Sequence, residues 1–470
     1  MIKKHILTLL LLITYGWVFS QETTKSFSLD EAIEYALEHN YKVINAKREI
    51  EAAKKQKWET TATGLPQINA SIEYQNFLKL PVTLLPAAAF DNTEAIINTV
   101  EDYFGLTPTS SPDPVEGFIP ISFGTKQNMN ATATLSQLIF DGSYLVGLQS
   151  AKVFIEISKN AKVKTDQEIK KLVIDAYGNV LLTEESIEIL KGNESTLLKN
   201  LEDTKKTYEN GLAEEESVEQ LQITLLGVQS NLKNMERLKS ISYKMLNTVL
   251  GIDITEKIIL NDNLETLTTQ NIDLGLFNTP LNLESNIDFK IAKNNERSKE
   301  LLFKYEKSKA LPNITAFLNG GYTGNSDSFS FLEKDQRWFG SSIVGVSLNV
   351  PVFSSLGRSA KTQRAKINFE QAKTELTEIE QQLKLQAETA KSNYQFAIEQ
   401  YQTSKDNLEL ARRIEKKNQI KFTEGIGTSF ELRQAQLQLY SSQQEYLKAM
   451  LEVINKKATL EIILDNVIIE

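Results

Sequence analysis

The chain has 470 residues, no cysteine, two histidines and a net charge of −9. Without cysteine there are neither disulfide bonds nor thiolate metal ligands, and the only histidine beyond the N-terminal leader, His39, lies in a polar stretch expected to end a short helix. Acidic charge spread along the chain disfavours nucleic acid as a partner, and since Gly-rich phosphate loops and serine nucleophile motifs are missing too, we expect no enzyme activity, no cofactor and no bound metal.

Residues 1–20 have the pattern of a secretory signal peptide. Lys3 and Lys4 precede an apolar run from Ile6 to Phe19, and Ser20 offers a short side chain at the expected cleavage point. The run is shorter than the ~20 residues that a membrane-spanning helix needs. No later segment reaches about 18 uninterrupted apolar residues, so we predict an exported protein that enters a membrane, if at all, as strands.

Two parts of the remaining sequence match each other. Residues 40–46 match 286–292, and Tyr208–Gly211 matches Phe422–Gly425 at a shorter spacing, so the first copy contains extra residues. The match predicts two tandem repeats with a linker between them. The predicted division is a first repeat at 21–251, a linker or equatorial segment at 252–285 and a second repeat at 286–470.

Each repeat contains two segments in which apolar and polar residues alternate, as in strands with one apolar and one polar face. The predicted strands span 66–77, 126–140, 312–323 and 341–353. Residues 77–125 between the first two strands form a Pro-rich external loop, with a short helix near 92–103. The corresponding loop at 320–340 is aromatic, and its rings either meet a membrane interface or pack within the protein.

A long helical hairpin follows each pair of strands. We predict hairpins at 142–250, with a tip at 208–217, and at 355–464, with a tip at 422–431. No proline interrupts the first helix of either hairpin, so each helix would be roughly 100 Å long. Glycine after each long helix fits the left-handed conformation of a helix end.

A heptad pattern predicts which faces of the long helices are buried. The pattern comprises Leu383, Ala387, Ala390, Tyr394, Ala397, Tyr401, Ser404, Leu408 and Ala411. The matching positions of the first hairpin are Ile169, Val173, Ala176, Val180, Thr183, Ile187 and Leu190. The many small residues favour helices packed side by side in a wall, with a plain coiled-coil bundle as the alternative.

Four strands in one chain are too few for a membrane barrel, which needs at least about eight. Strand edges exposed to lipid would leave backbone groups unpaired. Three chains that contribute four strands each would give twelve strands and an open lumen. We therefore predict that several copies of the chain share one barrel embedded in outer-membrane lipid.

The sequence resembles TolC-family outer-membrane efflux proteins, also called outer membrane factors. The resemblance rests on Ser28–Asn40, on Leu65-Pro66 and Leu311-Pro312 before strands, and on the two tips. It implies a mainly α protein with β-strands, in which each repeat is a β-hairpin plus a long coiled-coil hairpin. The trimer would form a twelve-stranded transmembrane β-barrel, continued by an α-helical barrel in the periplasm.

The same resemblance implies a passive exit duct in the outer membrane for a tripartite efflux or type I secretion system. Its partners would be further copies of the chain, a periplasmic adaptor (membrane fusion protein) and an inner-membrane pump. A periplasmic coiled-coil adaptor or structural scaffold is the alternative. Such adaptors generally have one hairpin, whereas this sequence has two.

The resemblance also implies that the tips form the periplasmic entrance and contact the adaptor. The candidate residues are Gly211, Glu214, Glu215, Glu216, Gly425, Gly427, Glu431 and Gln434. In the family, carboxylates after the second tip narrow the entrance and favour cations. Glu431 keeps such a carboxylate, whereas Gln434 stands where an acid is common. Three copies of Glu431 near the axis would raise one another's pKa, and a cation would relieve the repulsion.

A local role competes with the entrance role at both tips. Thr428–Glu431 and Ser217–Gln220 both have capping-box spacing, and in this alternative the side chains only satisfy the backbone at helix N-termini. The glycines are expected to serve the geometry of the turns. Capping and gating by Glu431 can coexist.

Overall fold

The computed structural model of the protein describes residues 25–107, 113 and 115–464. The predicted signal peptide lies outside these residues. In chain order the helices are α1 (Leu29–His39), α2 (Tyr41–Ala62), α3 (Thr93–Phe104), α4 (Gly142–Glu209), α5 (Glu215–Leu250), α6 (Leu264–Gln270), α7 (Ile287–Ser308), α8 (Gly357–Thr423) and α9 (Ser429–Leu464). The strands are β1 (Lys25–Phe27), β2 (Gln67–Asn76), β3 (Val82–Pro86), β4 (Phe118–Ser122), β5 (Gln127–Asp141), β6 (Ile258–Leu260), β7 (Asn313–Ser326) and β8 (Trp338–Asn349).

The described residues form two compact units. We call residues 25–55, 150–301 and 365–464 the helical unit, and residues 56–149 and 302–364 the sheet unit. Among the described residues, no helix is both long and apolar enough to cross a membrane.

Two helical hairpins dominate the helical unit. Their first helices, α4 and α8, have 68 and 67 residues, and their second helices, α5 and α9, have 36 each. All nine heptad positions predicted in α8 are buried. Of the seven predicted in α4, only Ala176 is partly exposed. The heptad spacing therefore predicts the interior faces of both long helices correctly.

A buried tyrosine joins α4 to the small parallel sheet of β1 and β6. The Tyr177 hydroxyl lies 2.8 Å from Asp262 Oδ2 and 2.9 Å from the carbonyl oxygen of Phe27, and the same carboxylate accepts a hydrogen bond from the Leu29 backbone. Burial, with the neighbouring carboxylate, raises the pKa of Tyr177 well above its usual value. The second hairpin has a comparable contact, because the Tyr394 hydroxyl donates to the Asn271 carbonyl and accepts from the Asp273 backbone.

Two matched asparagines fasten shorter helices to the ends of the hairpins. Asn40 Nδ2 donates to the Val249 carbonyl at 2.7 Å, while Asn40 Oδ1 accepts from the Lys42 backbone at the start of α2. Asn286 repeats the arrangement, with its Nδ2 2.9 Å from the Ile463 carbonyl oxygen. His39, which precedes Asn40, ends α1 as expected. It is exposed, and its ring stacks on that of Tyr35.

The sheet unit contains a four-stranded antiparallel sheet with the order β2-β5-β7-β8. Within the described residues β2 and β8 each pair with one strand only, so both edges of the sheet are open. Alternation gives the sheet an apolar and a polar face. The apolar face includes the exposed side chains of Ile68, Ile72, Val344, Val346 and Leu348. The segment between β2 and β5 contains the hairpin β3–β4 and the helix α3.

The prediction of a loop at 320–340 is wrong at both ends, because β7 continues to Ser326 and β8 begins at Trp338. The glycines there do not break the strands. A Cβ at Gly321 would lie 2.7 Å from the Ala131 carbonyl oxygen, so glycine allows close strand pairing. One aromatic ring of this segment packs within the unit: Phe331 is buried, and its ring centroid lies 6.0 Å from Tyr74 and 6.2 Å from Trp338, whereas Phe329 and Phe339 are more than half exposed.

Candidate functional site at the helical tips

The first tip, residues 208–217, is a tight turn between α4 and α5. Gly211 has a φ of 73°, the left-handed conformation in which glycine is favoured. Its backbone nitrogen donates to the Tyr208 carbonyl at 2.8 Å, and the next one, of Leu212, donates to the Thr207 carbonyl at 3.0 Å. These bonds satisfy carbonyls that the end of a helix leaves without partners.

The second tip, residues 422–431, has the same geometry. Gly425 has a φ of 72°, its nitrogen donates to the Phe422 carbonyl, and the Ile426 nitrogen donates to the Lys421 carbonyl. Gly427 serves the turn differently, because its φ is not positive. A Cβ there would lie 2.9 Å from Lys421 Cβ, so the chain passes too close to α8 for a larger residue without adjustment.

The capping box predicted at the second tip is present. The Glu431 backbone nitrogen donates to Thr428 Oγ1 at 3.2 Å, and the Thr428 nitrogen donates to Glu431 Oε2 at 3.0 Å. These hydrogen bonds lower the pKa of the exposed Glu431 carboxyl. The rise in pKa expected from three converging copies is a property of an assembly and stays a prediction.

The capping box predicted at Ser217–Gln220 is wrong. Helix α5 begins at Glu215, so Ser217 is already inside the first turn, and the N-cap residue is Glu214, whose side chain makes no capping hydrogen bond. Gln220 Nε2 instead donates to Glu216 Oε1 at 2.7 Å. Ser217 and Gln220 have the spacing of a capping box, but the pair begins three residues beyond the N-cap position. Only the position of the turn at the tip shows whether such a pair caps a helix.

The two tips line one polar cavity of about 360 Å³. The first hairpin contributes Asn200, Asp203, Thr204, Thr207, Leu212, Ala213, Glu214 and Ser217; the second contributes Gln419, Phe422, Thr423, Gly425, Gly427, Thr428 and Ser429. Its lining offers hydroxyl and amide groups and two carboxylates, which suit hydrogen bonding to a polar partner segment.

A pair of amide side chains in the lining of this cavity was not predicted from the sequence. Asn200 Nδ2 donates to Gln419 Oε1 at 2.7 Å, and Gln419 Nε2 donates to Asn200 Oδ1 at 3.1 Å, which links α4 to α8. A similar bond joins Asn193 Nδ2 to Gln443 Oε1 of α9 at 2.9 Å. These polar residues interrupt helix contacts that are otherwise apolar. In the sequence they appear only as amides close to the heptad positions, which does not indicate that they pair with each other.

The predicted site residues therefore occupy three kinds of position. Gly211, Gly425 and Gly427 form the turns, and Glu214 lines the shared cavity. The remaining carboxylates and amide, Glu215, Glu216, Glu431 and Gln434, are exposed and do not line that cavity.

Known proteins resemble this chain in sequence. A family profile described as outer membrane efflux protein matches residues 280–465, which include the second hairpin and its tip. The chain is also 22% identical over 263 residues to the outer membrane protein TolC of Vibrio cholerae. That match covers 53% of this chain and 56% of the relative, so it spans little more than half of the relative's length.

Solved structures resemble this one along almost the whole chain. VceC of Vibrio cholerae has a TM-score of 0.67 at 14% identity, with 93% of this chain and 95% of VceC covered. CusC has a TM-score of 0.70 at 14% identity, with 93% and 92% covered. The open state of the MtrE outer membrane channel of Neisseria gonorrhoeae has a TM-score of 0.66 at 15% identity, with 93% and 88% covered.

The long helical hairpins and the four-stranded sheet give this chain the same fold as these outer-membrane channel proteins. The resemblance to TolC-family outer-membrane efflux proteins seen in the sequence is confirmed. The predicted location, in the outer membrane with the helical part in the periplasm, is confirmed as well.

Proposed function

We propose that the chain is the protomer of a trimeric exit duct that conducts substrates passively across the outer membrane. The observation that carries this proposal is the four-stranded sheet with open edges at β2 and β8. An open strand edge in lipid leaves backbone donors and acceptors without partners, at a cost of several kcal/mol for each group. Pairing β2 of one copy with β8 of the next would remove every such edge.

Three copies would give a barrel of twelve strands. The exposed apolar face, with Ile68, Ile72 and Val344, would contact lipid, and the polar face would line a lumen wide enough for water. Long helical hairpins from each copy would continue the wall into the periplasm. In this proposal the two repeats and their boundaries, 21–251 and 286–470, correspond to two equivalent segments of that wall.

The tips are proposed as the periplasmic entrance and as the contact with an adaptor. Their shared cavity of about 360 Å³ has hydrogen-bonding groups suited to a polar segment of such a partner. Glu431 would supply a carboxylate at the entrance even while it caps α9, because its Oε2 uses only part of the carboxylate's hydrogen-bonding capacity. A periplasmic adaptor and an inner-membrane pump would complete an efflux or type I secretion system. The chain itself would perform no catalysis.

A periplasmic adaptor or scaffold is the second candidate, because coiled-coil hairpins also occur in such proteins. The exposed apolar face of the sheet favours the duct over this candidate. A water-facing sheet would leave Val344 and Val346, which are 78% and 70% exposed, in contact with solvent.

Single-channel conductance in planar bilayers tests the proposal. The detergent-purified wild type is compared with Glu431→Ala and with the matched control Gln434→Ala, which changes an exposed neutral residue one turn away. We expect stable conductance steps whose cation selectivity falls in Glu431→Ala and not in the control.

Two results would count against parts of the proposal. Unchanged selectivity in Glu431→Ala would leave this residue as a helix cap only. A wild type that forms no channel and stays soluble without detergent would refute the duct and favour the adaptor or scaffold.

A further inference from the structure

The polar face of the four-stranded sheet contains almost no charge. Strand register places residues that face each other across the sheet on the same side. One such row contains Gln67 and Ser136; the next rows contain Asn69, Thr134 and Asn319; Ser71 and Thr132; Glu73, Asn130 and Thr323; and Gln75, Asn128 and Asn325. These side chains are amides and hydroxyls, with one exception, Glu73. The same rows continue to the apolar side chains of Phe317 beside Ser136, Ile343 beside Asn319 and Phe339 beside Thr323.

Glu73 is one of two residues in β2, β5, β7 and β8 together that carry a charge at neutral pH. The other, Asp141, ends β5, and its Oδ1 accepts hydrogen bonds from the backbone nitrogens of Ser143 and Tyr144 at the start of α4. Glu73 differs because it is exposed and its carboxylate makes no hydrogen bond or ion pair with any residue in the described part of the chain.

The position of Glu73 on the polar face follows from its neighbours. Ile72 and Tyr74, before and after it, point to the opposite side, where Ile72 belongs to the apolar face. Across the sheet Glu73 is level with Asn130 of β5, and Asn130 is level with Thr323 of β7. The row of Glu73 continues from Thr323 to Phe339 of β8, so this carboxylate has only uncharged side chains level with it and no structural partner in the sheet.

We propose that Glu73 determines charge selectivity, and that three copies form a carboxylate ring inside the barrel that favours cations and cationic substrates. This inference rests on the proposed trimeric duct, in which the polar face lines the lumen. Glu73 lies toward the end of β2 that is remote from α2, so the ring would form at that end of the barrel and would not include the carboxylates of the tips.

Basic residues near this end of the sheet include Lys79, three residues beyond β2, Lys126, just before β5, and Arg337, just before β8. Lys126 is four residues from Asn130, roughly 13 Å along the strand, which exceeds the Debye length of about 10 Å at 0.1 M salt. Arg337 is three strands away from Glu73 in the same chain. In a closed barrel, however, Arg337 would approach Glu73 of the next copy. The test must therefore distinguish a ring of charged carboxylates from one whose charge Arg337 neutralises.

Reversal potentials across planar bilayers, measured in a salt gradient, test the proposal on the full chain. The variants are Glu73→Gln, which removes the charge, and Glu73→Asp, which keeps it as a matched control. Three carboxylates about 10 Å from the axis, screened at 0.1 M salt, should change the cation-to-anion permeability ratio about fivefold. We expect Glu73→Gln to lose this factor and Glu73→Asp to retain it, and the difference should disappear at 1 M salt, where the Debye length is about 3 Å.

The outcomes separate this inference from the function on which it rests. Channels whose selectivity is the same in Glu73→Gln as in wild type would overturn the role of Glu73 while leaving the duct intact. The role of Glu73 would also be overturned if Glu73→Gln changed the selectivity only in channels that already carry Arg337→Gln. In that case Arg337 would neutralise the carboxylate ring in the wild type. A wild type without channel activity would overturn the duct and this inference together.

Discussion

The amide pair between Asn200 and Gln419 gives a quantitative test of how the two hairpins hold together near their tips. Asn200 is 9% exposed, and its side chain makes two hydrogen bonds with the Gln419 amide, at 2.7 and 3.1 Å. A hydrogen bond contributes about 0.5–1.5 kcal/mol net, and a buried polar group left without a partner costs about 1–3 kcal/mol. Since Gln419 is only half-buried, we expect Asn200→Ala to destabilise this contact by about 2 kcal/mol.

Hydrogen exchange of the backbone amides in residues 197–204 and 415–423 measures that cost as local opening. A loss of about 2 kcal/mol corresponds to roughly thirtyfold faster exchange. Asn200→Ala and Gln419→Ala should each produce this effect. The double variant should exchange little faster than either single one, because both changes remove the same pair of bonds.

Asn418→Ala is the matched control, because the Asn418 amide bonds only to the Ile414 carbonyl of its own helix. It should leave exchange near wild-type rates. The reasoning is refuted if the two single variants exchange like the control, or if their effects add fully in the double variant, since either result means that the amides do not act as a pair.

Three further predictions concern the helical unit. Gly251→Ala should lower the thermal unfolding midpoint more than Gly211→Ala. Both glycines have a positive φ, but a methyl group at Gly251 would also collide with the His39 carbonyl, whereas no atom lies close to a methyl group at Gly211. Equal shifts of the midpoint would contradict this reasoning. Tyr177→Phe should cost about 1–3 kcal/mol in denaturant unfolding, because it removes the donor shared by the Asp262 carboxylate and the Phe27 carbonyl; an unchanged midpoint would show that this hydroxyl is not needed. Because Glu431 has a lowered pKa when folded, the stability that its capping bonds add is present at pH 7 and is lost as the pH falls through that pKa; hydrogen exchange at the start of α9 should therefore speed up in acid relative to Glu431→Gln.

Periodic features of the sequence predict much of this fold. The heptad spacing identifies buried positions in both long helices, such as Leu383 and Tyr394, because one side of a helix must recur every three to four residues. The capping box at Thr428 is equally local, since the residues involved are three apart. At Ser217 the same local pattern misleads, because the turn at Gly211 starts α5 three residues earlier than the pattern implies.

Contacts between distant segments could not be predicted in this way. Asn200 and Gln419 are both amides in polar helical sequence, and only the packing of α4 against α8 brings them together. The anchoring of Asn40 to Val249 has the same character. The open sheet edges at β2 and β8 depend on strand order, which alternation alone does not contain.

Disulfide cross-linking in outer membranes tests most directly the central claim that several copies share one barrel. The chain has no cysteine, so a pair introduced at Ser71 of β2 and at successive positions 342–348 of β8 reports only on those two edges. A disulfide needs Cα atoms within about 7 Å, so only positions paired across the two edges should react. We predict covalent dimers and trimers, with nothing larger, at one narrow register of β8. Monomers at every position, or a ladder that continues beyond trimers, would contradict the shared barrel of three chains.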